Sequence, residues 1–282
     1  MRERISSSAA RVALLLGGLL SVALACHDST APHVPVGAVA LTPPARFAMW
    51  WRLTEACSAA TGDFASVEWY VVPNTTTLTY ENTQVDAFWL GNPDRIVLAD
   101  ARRNDGPIVR HEMLHALLHR NGHPRDAFLT ACGGVVQCDG ACAVETGGYA
   151  SPPDAAPELQ PREVNPRVDV FTPLPAELAG DGGAVAALIT ITNPRTEPVW
   201  VRLTPRESGD FQYPTFGVIV DNDDPARIAA VGADYSPGGR FALGAGESRR
   251  WIWEGALARG RFGVLGYFNA DTVPRRVITV GQ

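Results

Sequence analysis

Between Ala45 and Asp63 apolar residues recur three and four positions apart. Phe47, Trp50, Trp51, Leu53 or Thr54, and Cys57 mark one face of a helix that should close at Gly62. The pattern then changes. "VEWYVVP" (67–73), "VDAFWL" (85–90) and "RIVLAD" (95–100) are short β-rich runs, and the "GNPD" turn signal separates the last two. "ARRNDGP" (101–107) announces a second helix, with Asp105 or Gly106 as N-cap and Pro107 in the first turn. That helix is expected to end near Asn121-Gly122, a good C-terminal cap. Helix, strands, helix and a cysteine-bearing loop predict a small α+β domain over 43–152.

"SPPDAAPELQPREVNP" (151–166) is polar and Pro-rich, and 153–167 is expected to be an interdomain linker. From 168 to 282 the chain has no Cys and no His. It offers "AVAALITIT", "PVWVRLTP", "TFGVIVDN", "ARIAAVGA", "GRFALGAG", "SRRWIWEG", "RFGVLGYFN" and "RRVITV", with turn signals between them. Many short strands in one stretch predict an all-β, immunoglobulin-like sandwich, a binding or spacer domain without catalytic groups.

The first 25 residues change the setting. Arg2, Arg4 and Arg11 precede an apolar run, Val12–Ala25, broken only by Gly17, Gly18 and Ser21. The run is short of the ~20 residues of a membrane span and suits a signal peptide, 1–25. It ends Ala23-Leu24-Ala25-Cys26, which resembles a bacterial lipobox with Cys26 as the lipidated residue. The same letters also read as an Ala-x-Ala cleavage site. The expectation is an exported lipoprotein of the bacterial cell envelope, held by its N-terminal lipid alone, with a periplasmic or secreted protein as the alternative. Residues 26–42 have the composition of a tether. The net charge of −6 argues against a nucleic-acid partner. Without Cys26, Cys57, Cys132, Cys138 and Cys142 remain, an even set that reads as disulfides in an exported chain. Cys57 is expected to pair with one of the three later cysteines. A structural zinc site on Cys132, Cys138 and Cys142 is the alternative.

Four of the six histidines lie in "VRHEMLHALLHRNGHP" (109–124). Residues four apart share a helix face ~6 Å apart along the axis, so His111 and His115 can reach one metal ion. Glu112 lies beside them, where it can act as general base. The helix is otherwise apolar apart from Arg110 and Arg120, so it should be buried on most sides. The third ligand has three candidates. His119 lies ~12 Å along the axis from His111, too far if the helix is regular. His123 follows Gly122, which can turn the chain back. Glu145 stands in "CAVETGGY".

"HEMLHALLHRNGHP" resembles the matrixin-type metzincin signature of the zincin metallopeptidases, in which HExxH is followed by a glycine bend and a third His. The resemblance implies zinc on His111, His115 and His123, Glu112 as catalytic base, and a zincin-like fold for 43–152. It also implies a strand pairing with an extended peptide, for which "RIVLAD" is the candidate. Gly122-His123 arrives two residues later than in that signature, and no methionine follows Met113 to form a Met-turn. The function so implied is an exported, lipid-anchored zinc metallopeptidase acting on a peptide or protein substrate. The alternative is a non-enzymatic surface lipoprotein of zincin-like fold that binds peptide or envelope partners; Glu112 favours the enzyme. Tyr149 is a structural tyrosine or an oxyanion stabiliser. Zinc binding is expected to survive removal of 165–282.

Overall fold

A computed structural model describes residues 33–149, 151–171, 183–202, 216–221, 227–231, 240–257, 260–268, 271–272 and 276–280. The expected signal segment 1–25 and Cys26 lie outside the described residues, as do 27–32 of the expected tether. Among the described residues no helix is long and apolar enough to cross a membrane.

Part of the expected tether is already structured. Strand β1 (Val39–Ala40) pairs antiparallel with β2 (Glu68–Val72). Between them runs helix α1 (Ala45–Ser58), which buries Phe47, Met49, Trp50, Trp51, Leu53, Thr54 and Cys57. Each large apolar side chain so buried stabilises the fold by roughly 1.5–3 kcal/mol. The helix stops before Gly62. Ser58 turns its hydroxyl onto the Thr54 carbonyl and accepts from the Ala60 N–H, a local alternative to further helix. Ala59 then takes a left-handed conformation at φ 57°.

A hairpin, β3 (Leu78–Tyr80) and β4 (Thr83–Val85), precedes β5 (Ala87–Leu90) and β6 (Arg95–Ala99). The four-stranded sheet runs β1-β2-β6-β5, with β2 and β6 parallel and β5 antiparallel to β6. Parallel β2 and β6 sit in the middle; β6 is buried from Ile96 to Ala99 and near-continuously apolar, whereas β2 alternates, burying Trp69 and Val71. Helix α2 (Gly106–Leu118) packs with α1 over this sheet. Phe47 of α1 meets Trp69 of β2 at 4.9 Å between ring centres. This placement corrects one expectation: "RIVLAD" is β6, flanked on both sides, so its backbone is already paired. Among the described residues the free edge of this sheet beside α2 belongs to β5.

A π-helical turn, Asp126–Ala131, leads to helix α3 (Gly140–Thr146). The segment 153–167 is woven into the structure. It contains β7 (Glu158–Leu159), which pairs parallel with a later strand, and a 3-10 turn at Pro161–Val164, and Leu159 and Val164 are buried. The remaining strands are β8 (Arg167–Phe171), β9 (Gly183–Thr192), β10 (Val199–Arg202), β11 (Phe216–Asp221), β12 (Arg227–Val231), β13 (Arg240–Leu243), β14 (Ser248–Leu257), β15 (Gly260–Phe268), β16 (Asp271–Thr272) and β17 (Arg276–Val280). All eight apolar runs of this region are strands. They form sheets ordered β13-β10-β7, β14-β9-β8, and β12-β11-β15-β16 with β17 also on β15. The whole is an α+β chain with several β-sheets.

Pro35–Gln282 forms one compact unit. Ala186 and Leu188 of β9 belong to the same buried cluster as α1 and α2, with Phe171 and Ile252 packed against it. Gly134 lies so close to β14 that a Cβ there would overlap the Arg250 carbonyl, and its φ is +84°. The Arg250 N–H donates to the Gly133 carbonyl at 3.2 Å.

Candidate metal centre

Helix α2 starts where the sequence places it, with Asp105 as N-cap and Pro107 in the first turn. Ile108, Val109, Met113, Leu114, Ala116 and Leu117 are buried, as are Arg110, Glu112 and His115. The helix ends one turn early, at Leu118. His119, at φ 46°, is the left-handed residue, and its N–H bonds the carbonyls of Ala116 and His115. The early stop has a reason in the site: it turns the Arg120 carbonyl back to accept from His115 Nδ1 at 2.8 Å. Gly122, at φ +76°, supplies a second reversal, and His123 follows it into the cleft.

His111, His115 and His123 converge. His111 Nε2 lies 3.2 Å from His115 Nε2 and 3.1 Å from His123 Nε2. Each ring is held by its other nitrogen. His111 Nδ1 donates to the Gln137 carbonyl at 2.6 Å. His115 Nδ1 donates to Arg120, and His123 Nδ1 donates to Glu145 Oε2 at 2.9 Å. With every Nδ1 occupied as a donor, three Nε2 lone pairs point at one another. Lone pairs so arranged repel unless a cation lies between them. Two nitrogens ~2 Å from one ion in a tetrahedral arrangement stand ~3.3 Å apart, close to the spacings seen here. The donor set therefore fits a divalent transition-metal ion.

The other candidates fall outside this triad. His119 is 70% exposed and pairs with Asp94 at 3.2 Å. It is removed because the helix has already ended, not only because it is far along the axis. Glu145 stands outside the three converging groups and accepts from both the backbone N–H and Nδ1 of His123. Cys132, Cys138 and Cys142 are bonded as Cys57–Cys132 and Cys138–Cys142, so no thiol of the set is left for a metal. Tyr149 is not among the cleft residues. The Arg249 guanidinium lies 3.9 Å over its ring, a packing role.

Aromatic rings fix the triad from behind. Phe128 is fully buried and meets all three imidazoles at 4.8–5.0 Å. Trp89 lies nearly parallel to His115, and its Nε1 donates to Asp94 at 2.9 Å. Neither ring is marked in the sequence. Phe128 is one apolar residue of the short run Asp126–Ala131, and only the π-helical turn aims it at the histidine triad.

Burial governs the titration. It lowers His111 to about 3 and His115 to about 4, with the neighbouring imidazoles adding to the effect. Glu112 is buried and its pKa is raised to about 8 by desolvation, partly offset by a hydrogen bond from the Trp89 backbone. The Glu145 carboxyl is held below its ordinary range, first by the His123 backbone N–H.

The triad opens into a cleft of about 640 Å³. Its walls are the β3–β4 hairpin, edge strand β5, the histidine face of α2 with Glu112, and the start of α3 with Cys142.

No family model matches the chain, and no curated protein matches it. Among solved structures it is similar to the ApaA protein of Bordetella pertussis, with 14% identity over 41% of this chain and 94% of that one, at a TM-score of 0.25.

The site is also tied to the far end of the chain. Arg110, beside His111, donates through Nε to the Val135 carbonyl at 2.7 Å and through Nη1 to Glu254 of β14 at 3.0 Å. Trp50 Nε1 donates to the same carboxylate oxygen at 2.8 Å. Helix α2 thus leans on β14, so the expectation that metal binding survives removal of 165–282 meets a direct contact between the two parts of the chain.

Proposed function

We propose that the protein is an exported zinc metallopeptidase, with a zincin-like part, 43–152, and an immunoglobulin-like part, 168–282, packed on a shared core. One observation carries the reading: three imidazole Nε2 atoms converge in a cleft beside a buried glutamate of the same helix. His111, His115 and His123 would hold the ion. When bound, zinc supplies Lewis-acid polarisation of the substrate carbonyl and lowers the pKa of water to ~7.

The chain supplies the rest. Glu112 is the proton carrier, and burial brings its carboxylate close to neutral pH, where a general base works best. Edge strand β5 has no further strand on its outer side; its Trp89 N–H already serves Glu112, and the rest of that edge is where an extended peptide can add. Phe128, fully buried, excludes water behind the three histidines, while Trp89 lines the cleft. Lipidation at Cys26 and attachment to the bacterial cell envelope belong to the same reading.

The test is zinc stoichiometry followed by a peptide-library screen. Wild type should bind about one zinc and cleave, and Glu112→Gln should keep zinc and lose cleavage. Equal cleavage by the variant would overturn the mechanism. Zinc binding without cleavage by wild type would favour the peptide-binding alternative.

A further inference from the structure

Two of the three metal-directed imidazoles are oriented from one short segment. Gln137, whose carbonyl holds His111, directly precedes Cys138. Glu145, whose carboxylate holds His123, follows Cys142 by three residues. Between them lies the Cys138–Cys142 disulfide. We propose that this cross-link is a positioning element of the metal centre, holding the supports of His111 and His123 in register.

Two observations point away from a purely stabilising role. A disulfide restrains the unfolded chain more as its loop lengthens. Cys57–Cys132 spans 75 residues, whereas Cys138–Cys142 spans four and constrains the unfolded chain about half as much. The element it ties down has few other holds, chiefly Arg125 Nη1, which donates to the Thr146 carbonyl at 2.6 Å and to the Gly148 carbonyl. Helix α3 has seven residues and buries only Cys142 and Thr146, while Val144 is 81% exposed. A helix shorter than ~12 residues is marginal without packing. With the cross-link gone, Glu145 loses its fixed place opposite His123. The Gln137 end is better anchored, since the Gln137 N–H also donates to the Pro107 carbonyl at 3.0 Å. The larger loss should therefore fall on His123.

This inference rests on the metal-site reading, and the experiment separates the two. Zinc affinity is measured by competition with a chromophoric chelator for wild type, Cys138→Ser/Cys142→Ser, Glu145→Ala and the triple variant, with thermal melts alongside. The double variant should bind zinc ~10–100-fold more weakly, as for loss of groups supporting metal ligands. Glu145→Ala should add little to it, because both changes act on the same imidazole. Unchanged affinity in a folded double variant would overturn the proposal. So would additive losses. Wild type without zinc would overturn the metal reading itself.

A second measurement needs no substitution. Cys138 is half-buried while Cys57 and Cys132 are buried, so a water-soluble phosphine should reach the short disulfide first. It cleaves the S–S bond to two thiols and takes oxygen from water to become its phosphine oxide. Zinc release to the chelator should speed up at least ~10-fold as this disulfide is reduced. Release at an unchanged rate, with reduction of Cys138–Cys142 verified by mass, would overturn the proposal.

Discussion

The Glu145 carboxylate holds His123 at two points, accepting from its backbone N–H at 2.8 Å and from its Nδ1 at 2.9 Å. One oxygen thus fixes both the chain direction after Gly122 and the tautomer of the ring. Glu145→Gln keeps an acceptor but loses the charge, so zinc affinity should fall by up to ~10-fold, and by more in Glu145→Ala. Chelator competition measures both. Because Glu145 is exposed, the melting temperature should change little.

The four histidines of the cluster should separate in a metal titration. Alanine at His111, His115 or His123 should abolish stoichiometric zinc at micromolar protein, while His119→Ala should leave it intact. A large loss from His119→Ala would contradict the geometry, in which that residue faces Asp94 and solvent.

That separation shows how far the sequence could be read. Helical spacing alone paired His111 with His115, and Gly122 marked the reversal that delivers His123. The eight apolar runs after residue 168 were legible because strand alternation is a local signal. The end of α2 was not. It stops at a left-handed His119, with the Arg120 carbonyl turned back onto His115, a non-glycine cap that the residue types do not announce. The edge position of β5 was also hidden, because β5 and β6 have similar composition and only sheet order tells an edge from a centre. Nor could the sequence place Glu254 beside Arg110, 144 residues away.

The metal-free protein should show a stability maximum near pH 6.5. His111 and His115 titrate at about 3 and 4 when folded, against 6.5 for the ordinary group. The unfolded chain therefore binds more protons below 6.5, and stability is lost as pH falls through that window. Glu112 runs the other way. Its folded pKa of about 8 exceeds the ordinary 4.5, so the folded state holds the extra proton and stability is lost as pH rises towards 8. Chelator-treated protein melted across pH 4–9 should show both limbs, and Glu112→Gln should remove the alkaline one. An alkaline limb that persists in the variant would assign it to another group.

The last prediction concerns the joint between α2 and β14. Arg110 is 4% exposed and Glu254 is 37% exposed, so the pair is only partly desolvated. Glu254→Ala leaves a buried guanidinium with one acceptor, the Val135 carbonyl, and leaves Trp50 Nε1 without its partner. The cost should be about 1–3 kcal/mol, below that of breaking a fully buried pair because water reaches the Glu254 side. Glu254→Gln retains an acceptor for both donors and should cost less. The joint also borders the ligand at His111, so zinc affinity in Glu254→Ala should fall together with the melting temperature. A truncation at residue 165 goes further: it removes Ala186 and Leu188 from the common core along with Glu254. The truncated chain should fail to fold into a zinc-binding form. A folded, zinc-binding 33–164 fragment would show instead that the contacts with β9 and β14 are dispensable.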